Sequence, residues 1–145
     1  MPPASRRDPF KNYSFLVEID GIPSAAFESV SGLAAEAEVI EYREGSDTAS
    51  SSRKLPGRVR YPNVVLRRGL TTSRDLWDWW ETVVNGTVQR RNVAITLLDD
   101  ARTPALRWLL RNAWIARIEA SALDASKNEV AIESVELAHE GLELD

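Results

Sequence analysis

Apolar and polar side chains alternate along the first part of the chain. Over residues 13–19 every second side chain is aromatic or aliphatic, and this period of two predicts a β-strand. Asp20-Gly21 follows directly, a pair that favours a tight turn and therefore a hairpin. Further strands are predicted over residues 25–30 and 35–44, each followed shortly by a glycine.

This periodicity is lost over residues 46–60. The stretch holds four serines, one proline, one glycine and four basic side chains, and neither a period of two nor one of 3.6 fits it. We therefore predict a long polar loop over residues 45–60. A loop of this length inside a compact domain usually has a function of its own, which makes it a candidate contact surface.

One helix is predicted over residues 73–85. Thr72 or Ser73 can cap its N-terminus, and Asn85-Gly86 is a typical helix end. Its apolar residues follow the i, i+3, i+4, i+7 spacing of a helix that packs on a core; they are Leu76, Trp79, Trp80 and Val83.

Tryptophan is unusually dense in this helix. Trp77, Trp79 and Trp80 are three of the five tryptophans in the chain. They spread around more of the helix than one core can cover. Beside core packing, the pattern therefore favours a surface that contacts a partner protein.

The rest of the chain is predicted to be extended, over residues 61–70, 91–98, 104–112, 113–119 and 130–139. Residues 104–112 also fit a helical turn. In the last segment the apolar face switches sides, and a bulge near Glu133 or Ser134 would explain that switch. With seven or eight strands, one helix and no strand–helix–strand alternation, the predicted fold is mainly β: a small antiparallel barrel or sandwich with one flanking α-helix.

Composition and charge narrow the range of functions that the chain can have. The 145 residues suit one domain over residues 1–145, with ordinary apolar and charged content. A net charge of −4 argues against nucleic-acid binding, despite basic pairs such as Arg67-Arg68. The longest apolar run near the N-terminus is too short for a signal peptide or a membrane span. We expect a chain that is cytoplasmic during its synthesis and assembly.

Residues that carry catalytic chemistry are scarce. The chain has no cysteine, so a metal site with thiolate ligands is excluded. It has one histidine, His139, so a zinc site would need carboxylates as its other ligands. The seven glycines are too widely spaced for a phosphate-binding or dinucleotide-binding motif. We therefore expect no catalytic residue, no cofactor and no metal, and hence no enzyme.

A resemblance to a known family extends over residues 8–144. It rests on segments that occur in one order along the chain: FLVEIDGI, VSGLAAEAEVIEYREG, RKLPGRVRYPNVVLRRG, LWDWW, RRNVAITLLDD, RNAW and NEVAIESVELAHEGLEL. Together they resemble the tail-tube (inner tube) proteins of contractile phages and phage-tail-like contractile injection systems. Two positions depart from the family pattern, since Ile115 stands where a proline is common and Ala120 where a glycine is common.

The resemblance implies a small β-barrel similar to the tube protein of type VI secretion. It implies a homo-oligomer whose hexameric rings stack into a tube, which a contracting sheath drives through a target envelope. Sheath and baseplate proteins would be the other partners, and a cargo in the lumen is left open. The particle would be released or membrane-attached. A tube-initiating baseplate adaptor is an alternative role, and a nucleic-acid-binding or carbohydrate-binding barrel is a more distant one.

The resemblance also implies a role for the predicted loop, which reaches the neighbouring ring in such tubes. The matching residues here are Arg53, Lys54, Leu55, Pro56 and Gly57. Basic side chains in this loop could meet acidic ones on another subunit, and the candidates are Glu36, Glu38, Glu41 and Glu44. Each exposed pair would contribute little by itself, but repetition around a ring would give avidity.

Overall fold

A computed structural model describes residues 14–25, 27–43, 45 and 53–145. In chain order the elements are β1 (Phe15–Ile19), β2 (Ile22–Ala25), β3 (Ser29–Ser31), β4 (Glu36–Tyr42), β5 (Arg53–Arg60), β6 (Val64–Gly69), α1 (Asp75–Val84), β7 (Arg91–Leu98), β8 (Pro104–Ala120), β9 (Ile132–Ala138) and β10 (Gly141–Leu144). The mainly β class with one helix, predicted from the sequence, is confirmed.

All strand pairs in the described part of the chain are antiparallel. The main sheet has the order β2-β1-β7-β8-β9-β6-β3, and β10 pairs with β8 beside it. The β1–β2 hairpin turns at the predicted Asp20-Gly21 pair, where Gly21 has a φ of 75°. Such a left-handed conformation favours glycine.

The hydrophobic core lies between the curled sheet and the helix. Inward side chains from β1 and from β6 belong to one buried cluster, although three strands separate them in the sheet order. The sheet must therefore bend around a shared interior. Helix α1 packs against β8 and contributes Leu76 and Trp79 to this cluster.

Strand β8 is long and changes partners along its length. Its first half pairs with β7 and β10, and its second half pairs with β9. Asn112, at the boundary between the two predicted segments, has a φ of 53°. Asparagine tolerates this left-handed conformation better than most residues. The two predicted segments are thus one strand with a local irregularity at Asn112.

A buried ion-pair cluster joins β6, α1 and β9. The Arg68 guanidinium donates from Nε to Glu133 Oε2 over 2.9 Å and from Nη2 to Asp75 Oδ1 over 2.7 Å. The side chains of Arg68 and Glu133 are only 4% and 1% exposed. The guanidinium also lies over the Phe27 ring, 5.7 Å from its centroid. These contacts hold β9 against β6 and the start of α1, although Glu133 is 65 positions from Arg68 in the sequence.

The environment shifts two pKa values in this cluster. Burial raises the pKa of Asp75, but hydrogen bonds from Arg68 and from the Leu76 backbone N–H outweigh it and hold that pKa below its ordinary value. Burial lowers the pKa of Arg68, and its hydrogen bonds to both carboxylates more than offset this effect. Arg68 therefore stays charged in the interior.

The bulge expected in the last strand is absent, and the buried position of Glu133 explains why the sequence suggested one. The register of β9 runs without a shift against β6 over Ile132–Leu137, so the predicted bulge near Glu133 or Ser134 is wrong. Glu133 occupies an inward position of the strand, in line with Val135 and Leu137. The apparent switch of the apolar face arose because a charged residue lies inside.

Other boundaries differ by a few residues. The strand predicted over residues 25–30 is divided between β2 and β3. The helix begins at Asp75, and the residue before it, Arg74, makes no side-chain cap hydrogen bond. Ser73 lies one position too early for the predicted cap, although its Oγ accepts from the Asp75 N–H at 3.5 Å. The predicted helix end is confirmed, since Gly86 has a φ of 76°.

Candidate assembly interface

A two-stranded hairpin, here called the arm (Glu36–Tyr42 with Arg53–Arg60), stands apart from the main sheet. Among the described residues its strands pair only with each other, and neither packs extensively on the helix or the main sheet. Every side chain of β4 is exposed, and so is nearly all of β5. A single hairpin is at best marginally stable in water, so the arm needs a packing partner.

Both faces of the arm carry apolar side chains. Directly opposed residues share a face, and successive residues alternate between faces. Ile40, Tyr42 and Leu55 therefore lie on one face and Val39 and Val59 on the other. These five side chains are between 44% and 61% exposed. Such clusters of uncovered apolar residues mark interaction surfaces.

Opposite charges face each other along the arm. Glu36 pairs in register with Arg60, whose Nη2 donates to the glutamate Oε1 at 3.2 Å, and Glu41 pairs in register with Lys54. The exposed Glu36–Arg60 pair contributes at most about 1 kcal/mol. The acidic candidates Glu36, Glu38 and Glu41 thus lie in the same hairpin as the basic candidates, while Glu44 lies outside the described residues.

The structure corrects the second part of the loop predicted over residues 45–60, while residues 46–52 lie outside the described part of the chain. Residues Arg53–Arg60 form strand β5, which contains all five predicted contact residues from Arg53 to Gly57. The register shifts near Gly57, where a Cβ would lie 2.9 Å from Ile40 Cδ1. Pro56 and Gly57 are both disfavoured in strands, and the stretch shows no regular alternation, so the strand was missed.

The root of the arm is fixed to the body by polar contacts. Both ring nitrogens of His139 lie 3.1 Å from backbone carbonyl oxygens, one from Pro62 and one from Gly141. Asn63 donates from Nδ2 to Glu136 Oε1 over 3.0 Å. Strand β9 and the residue that follows it therefore hold the segment after β5. Motif reasoning missed this role, since a lone histidine carries no spacing signal.

The helix gives weaker support for a partner surface. Trp79 is 2% exposed, and its Nε1 donates to the Gln89 carbonyl over 2.7 Å. Trp80 packs against the core cluster, and Trp77 is half-buried. Core packing therefore accounts for two of the three tryptophans. The exposed positions of the helix are polar or small, apart from Val84 at its end.

Two negative findings apply to the described part of the chain. It contains no cluster of three or more histidine or carboxylate side chains able to hold a metal ion. Its helix is too short to cross a membrane.

Comparison with known proteins identifies the family of this β-rich chain with its exposed arm. Residues 11–143 match the family described as T4-like virus tail tube protein gp19. The chain belongs to this family. A sequence comparison with curated proteins finds no match.

Solved structures agree with this assignment. The chain is 29% identical to a chain of the sixfold-symmetrised anti-feeding prophage (AFP) baseplate, covering 97% of both chains with a TM-score of 0.85. It is 28% identical to a chain of the extended PVC sheath–tube complex, an extracellular contractile injection system, covering 96% of this chain and 93% of that one with a TM-score of 0.85. A type six secretion system protein shares only the fold, with 8% identity, a TM-score of 0.62 and coverage of 91% and 82%.

These matches confirm the resemblance that the sequence segments indicated. The gp19-family chain is a tail-tube protein of a contractile injection system, with the predicted similarity of fold to type VI secretion tube proteins. It is a structural protein and not an enzyme.

Proposed function

We propose that this tail-tube protein is the main subunit of the inner tube, forming hexameric rings that stack and are driven through a target envelope by sheath contraction. The observation that supports this role most directly is the arm. It is an exposed hairpin with apolar side chains on both faces, in a chain whose family builds tubes. A surface of this kind is suited to docking on another subunit.

The energy available from such docking is substantial. Full burial of one large apolar side chain contributes about 1.5–3 kcal/mol. The five large apolar residues of the arm are roughly half exposed, so covering them would contribute about 4–7 kcal/mol per arm before the entropic cost of association. In a ring every subunit gains this contact, and the closed geometry makes the contributions cooperative.

Stacking between rings is the role proposed for residues Arg53, Lys54, Leu55, Pro56 and Gly57 at the start of β5. These residues combine two cations with apolar and turn-forming side chains, next to the segment that connects the two strands. The acidic residues of β4, Glu36, Glu38 and Glu41, together with Glu44, are the proposed counter-charges on neighbouring subunits. Their charges set the register of one ring on the next, since charge complementarity mainly contributes specificity.

Electron microscopy of the purified protein tests this function. We expect stacked rings of constant width, with sixfold end views. The double substitution Arg53→Glu with Lys54→Glu should shorten or abolish the stacks while leaving the fold intact by circular dichroism. A matched control reverses two exposed cations outside the arm, Arg102→Glu with Lys127→Glu, and should stack normally. A protein that stays monomeric at all concentrations would contradict the proposal.

A second role within the same apparatus is supported by the similarity to a baseplate chain. A tube-initiating subunit at the baseplate would form one ring and stop. The two roles differ in a single observable, because the main subunit elongates with increasing protein concentration while an initiator does not. The proposed partners in either role are sheath and baseplate proteins, and the proposed location is a phage-tail-like particle assembled in the cytoplasm.

A further inference from the structure

An apolar cleft opens on the body of the subunit, between β3 and the β1–β7–β8 part of the sheet. Its volume is about 410 Å³, and six apolar residues line it: Phe15, Val30, Leu33, Ile95, Leu97 and Trp108. Ile95 is fully buried, and the other five are partly buried. The exposed side chain of Glu28 lies at the edge of the cleft. A cleft of this size is large enough to enclose a small ligand, and so to accept two aliphatic side chains.

One face of the arm matches this cleft in chemistry. Ile40 and Leu55 are directly opposed and form an apolar pair, and Tyr42 and Arg53 form the next pair on the same face. Gly57 lets Ile40 lie close to the β5 backbone, because any Cβ at that position would press on its Cδ1. Tyrosine and arginine beside an aliphatic centre are typical of the residues that dominate binding energy in interfaces.

Charge complements shape in this match. Within the described part of the chain neither Glu28 nor Arg53 forms a salt bridge. Arg53 belongs to the next pair on the same face as Ile40 and Leu55, and Glu28 lies beside the apolar lining of the cleft. If Ile40 and Leu55 enter the cleft, a cation is carried to its acidic edge.

We propose that the cleft of one subunit receives the Ile40–Leu55 pair of the arm of a second copy, with Arg53 of that arm paired to Glu28 of the receiving subunit. The inference rests on the proposed tube function and names the surface on which the arm docks. Arm and cleft are different surfaces of one chain, so the contact is heterologous. Repetition of a heterologous contact generates rings or helical stacks rather than a closed dimer.

Cysteine crosslinking tests the inference directly, because the chain has no native cysteine. The variant Leu97→Cys with Ile40→Cys places one thiol in the cleft and one on the docking face. The control, Leu97→Cys with Val39→Cys, moves the arm thiol by one residue to the opposite face. We expect oxidised assemblies of the first variant to give disulfide-linked dimers and longer ladders on non-reducing gels, and the control to give few.

Charge reversal supplies a second, independent measurement. Glu28→Arg or Arg53→Glu alone should raise the protein concentration needed for tube formation by about tenfold or more, since like charges across an interface are strongly unfavourable. The double variant, which restores opposite charges, should assemble close to the wild-type concentration. If Arg53 instead pairs with the β4 glutamates or Glu44 of a neighbouring subunit, or stacks at any other surface, a change at Glu28 would give no such rescue.

The outcomes separate the inference from the function beneath it. If the wild-type protein forms tubes but the two cysteine variants crosslink equally well, or neither of them crosslinks, the cleft is overturned as the docking site and the tube function stands. The same holds if the cleft is covered by residues 1–13 of the same chain, because crosslinks would then be absent and the charge rescue would fail. A wild-type protein without rings or tubes overturns both.

Discussion

Replacing Arg68 by methionine tests how much the buried ion-pair cluster stabilises the fold. Methionine keeps much of the length of the arginine stem but removes the cation that faces two carboxylates. Glu133 would be left 1% exposed, and its hydrogen bond from the Arg68 Nε would be gone. Breaking a buried pair by removing one partner costs about 3–5 kcal/mol, because an uncompensated charge stays in the interior. For a chain of this length, such a loss lowers Tm by roughly 10–20 °C.

Equilibrium urea unfolding of the dilute, unassembled subunit measures this loss, since assembly would add stability by mass action. The double variant Arg68→Met with Glu133→Met is the control. It removes both buried charges, and we expect its free energy of unfolding to lie within about 1 kcal/mol of the wild type or above it, because apolar replacements of buried pairs are often neutral or stabilising. A single variant that loses less than about 1 kcal/mol, or a double variant as unstable as the single one, would refute the reasoning.

Three further predictions concern other contacts. The pKa of Asp75 is lowered in the folded state, so this carboxylate stabilises the fold fully above its ordinary pKa of 3.8, and the stabilisation is lost as the pH falls through the lower folded-state pKa. Asp75→Asn should therefore flatten the acid limb of a curve of unfolding free energy against pH. An unchanged acid limb would count against this prediction. Gly32→Ala should lower the free energy of unfolding by roughly 1–3 kcal/mol, measured by thermal unfolding, because Gly32 has a φ of 89° and an added Cβ would overlap the Asn63 carbonyl oxygen. A neutral effect would show that the root of the arm can shift freely. Trp79→Phe should cost about 1–3 kcal/mol, since it removes part of a buried ring and the hydrogen bond from its indole N–H to the Gln89 carbonyl. No loss of stability would mean that water replaces the indole N–H and that the core closes around the smaller ring.

Arg68 and Glu133 show where prediction from the sequence fails for a physical reason. Each charge is expensive to bury by itself, so a local pattern places both residues at the surface or infers an irregular strand. Their burial becomes favourable only when strands β6 and β9 are adjacent, which brings together residues 65 positions apart. Neither residue carries this information within its own segment.

The arm also shows a limit of predicting strands from the sequence. Both strands of the arm are exposed, so burial does not distinguish them in the sequence. Strand β4 was predicted almost to its observed bounds, because Val39, Ile40 and Tyr42 favour strands, whereas β5 contains a proline and a glycine, which do not. Its strand character depends on hydrogen bonding to β4, and no periodic burial recorded it in the sequence.

The sequence by itself determined the elements whose pattern follows from burial against a local core. These include the β1–β2 turn, the single helix and its glycine end, the strand over Arg91–Leu98 and the shortage of catalytic side chains. Its ordered segments also identified the tail-tube family. Only the tertiary structure decided that residues Arg53–Arg60 are a strand and that Arg68 and Glu133 lie inside. Each of these depends on what lies across the fold, and long-range contacts leave no mark in the local spacing of residues.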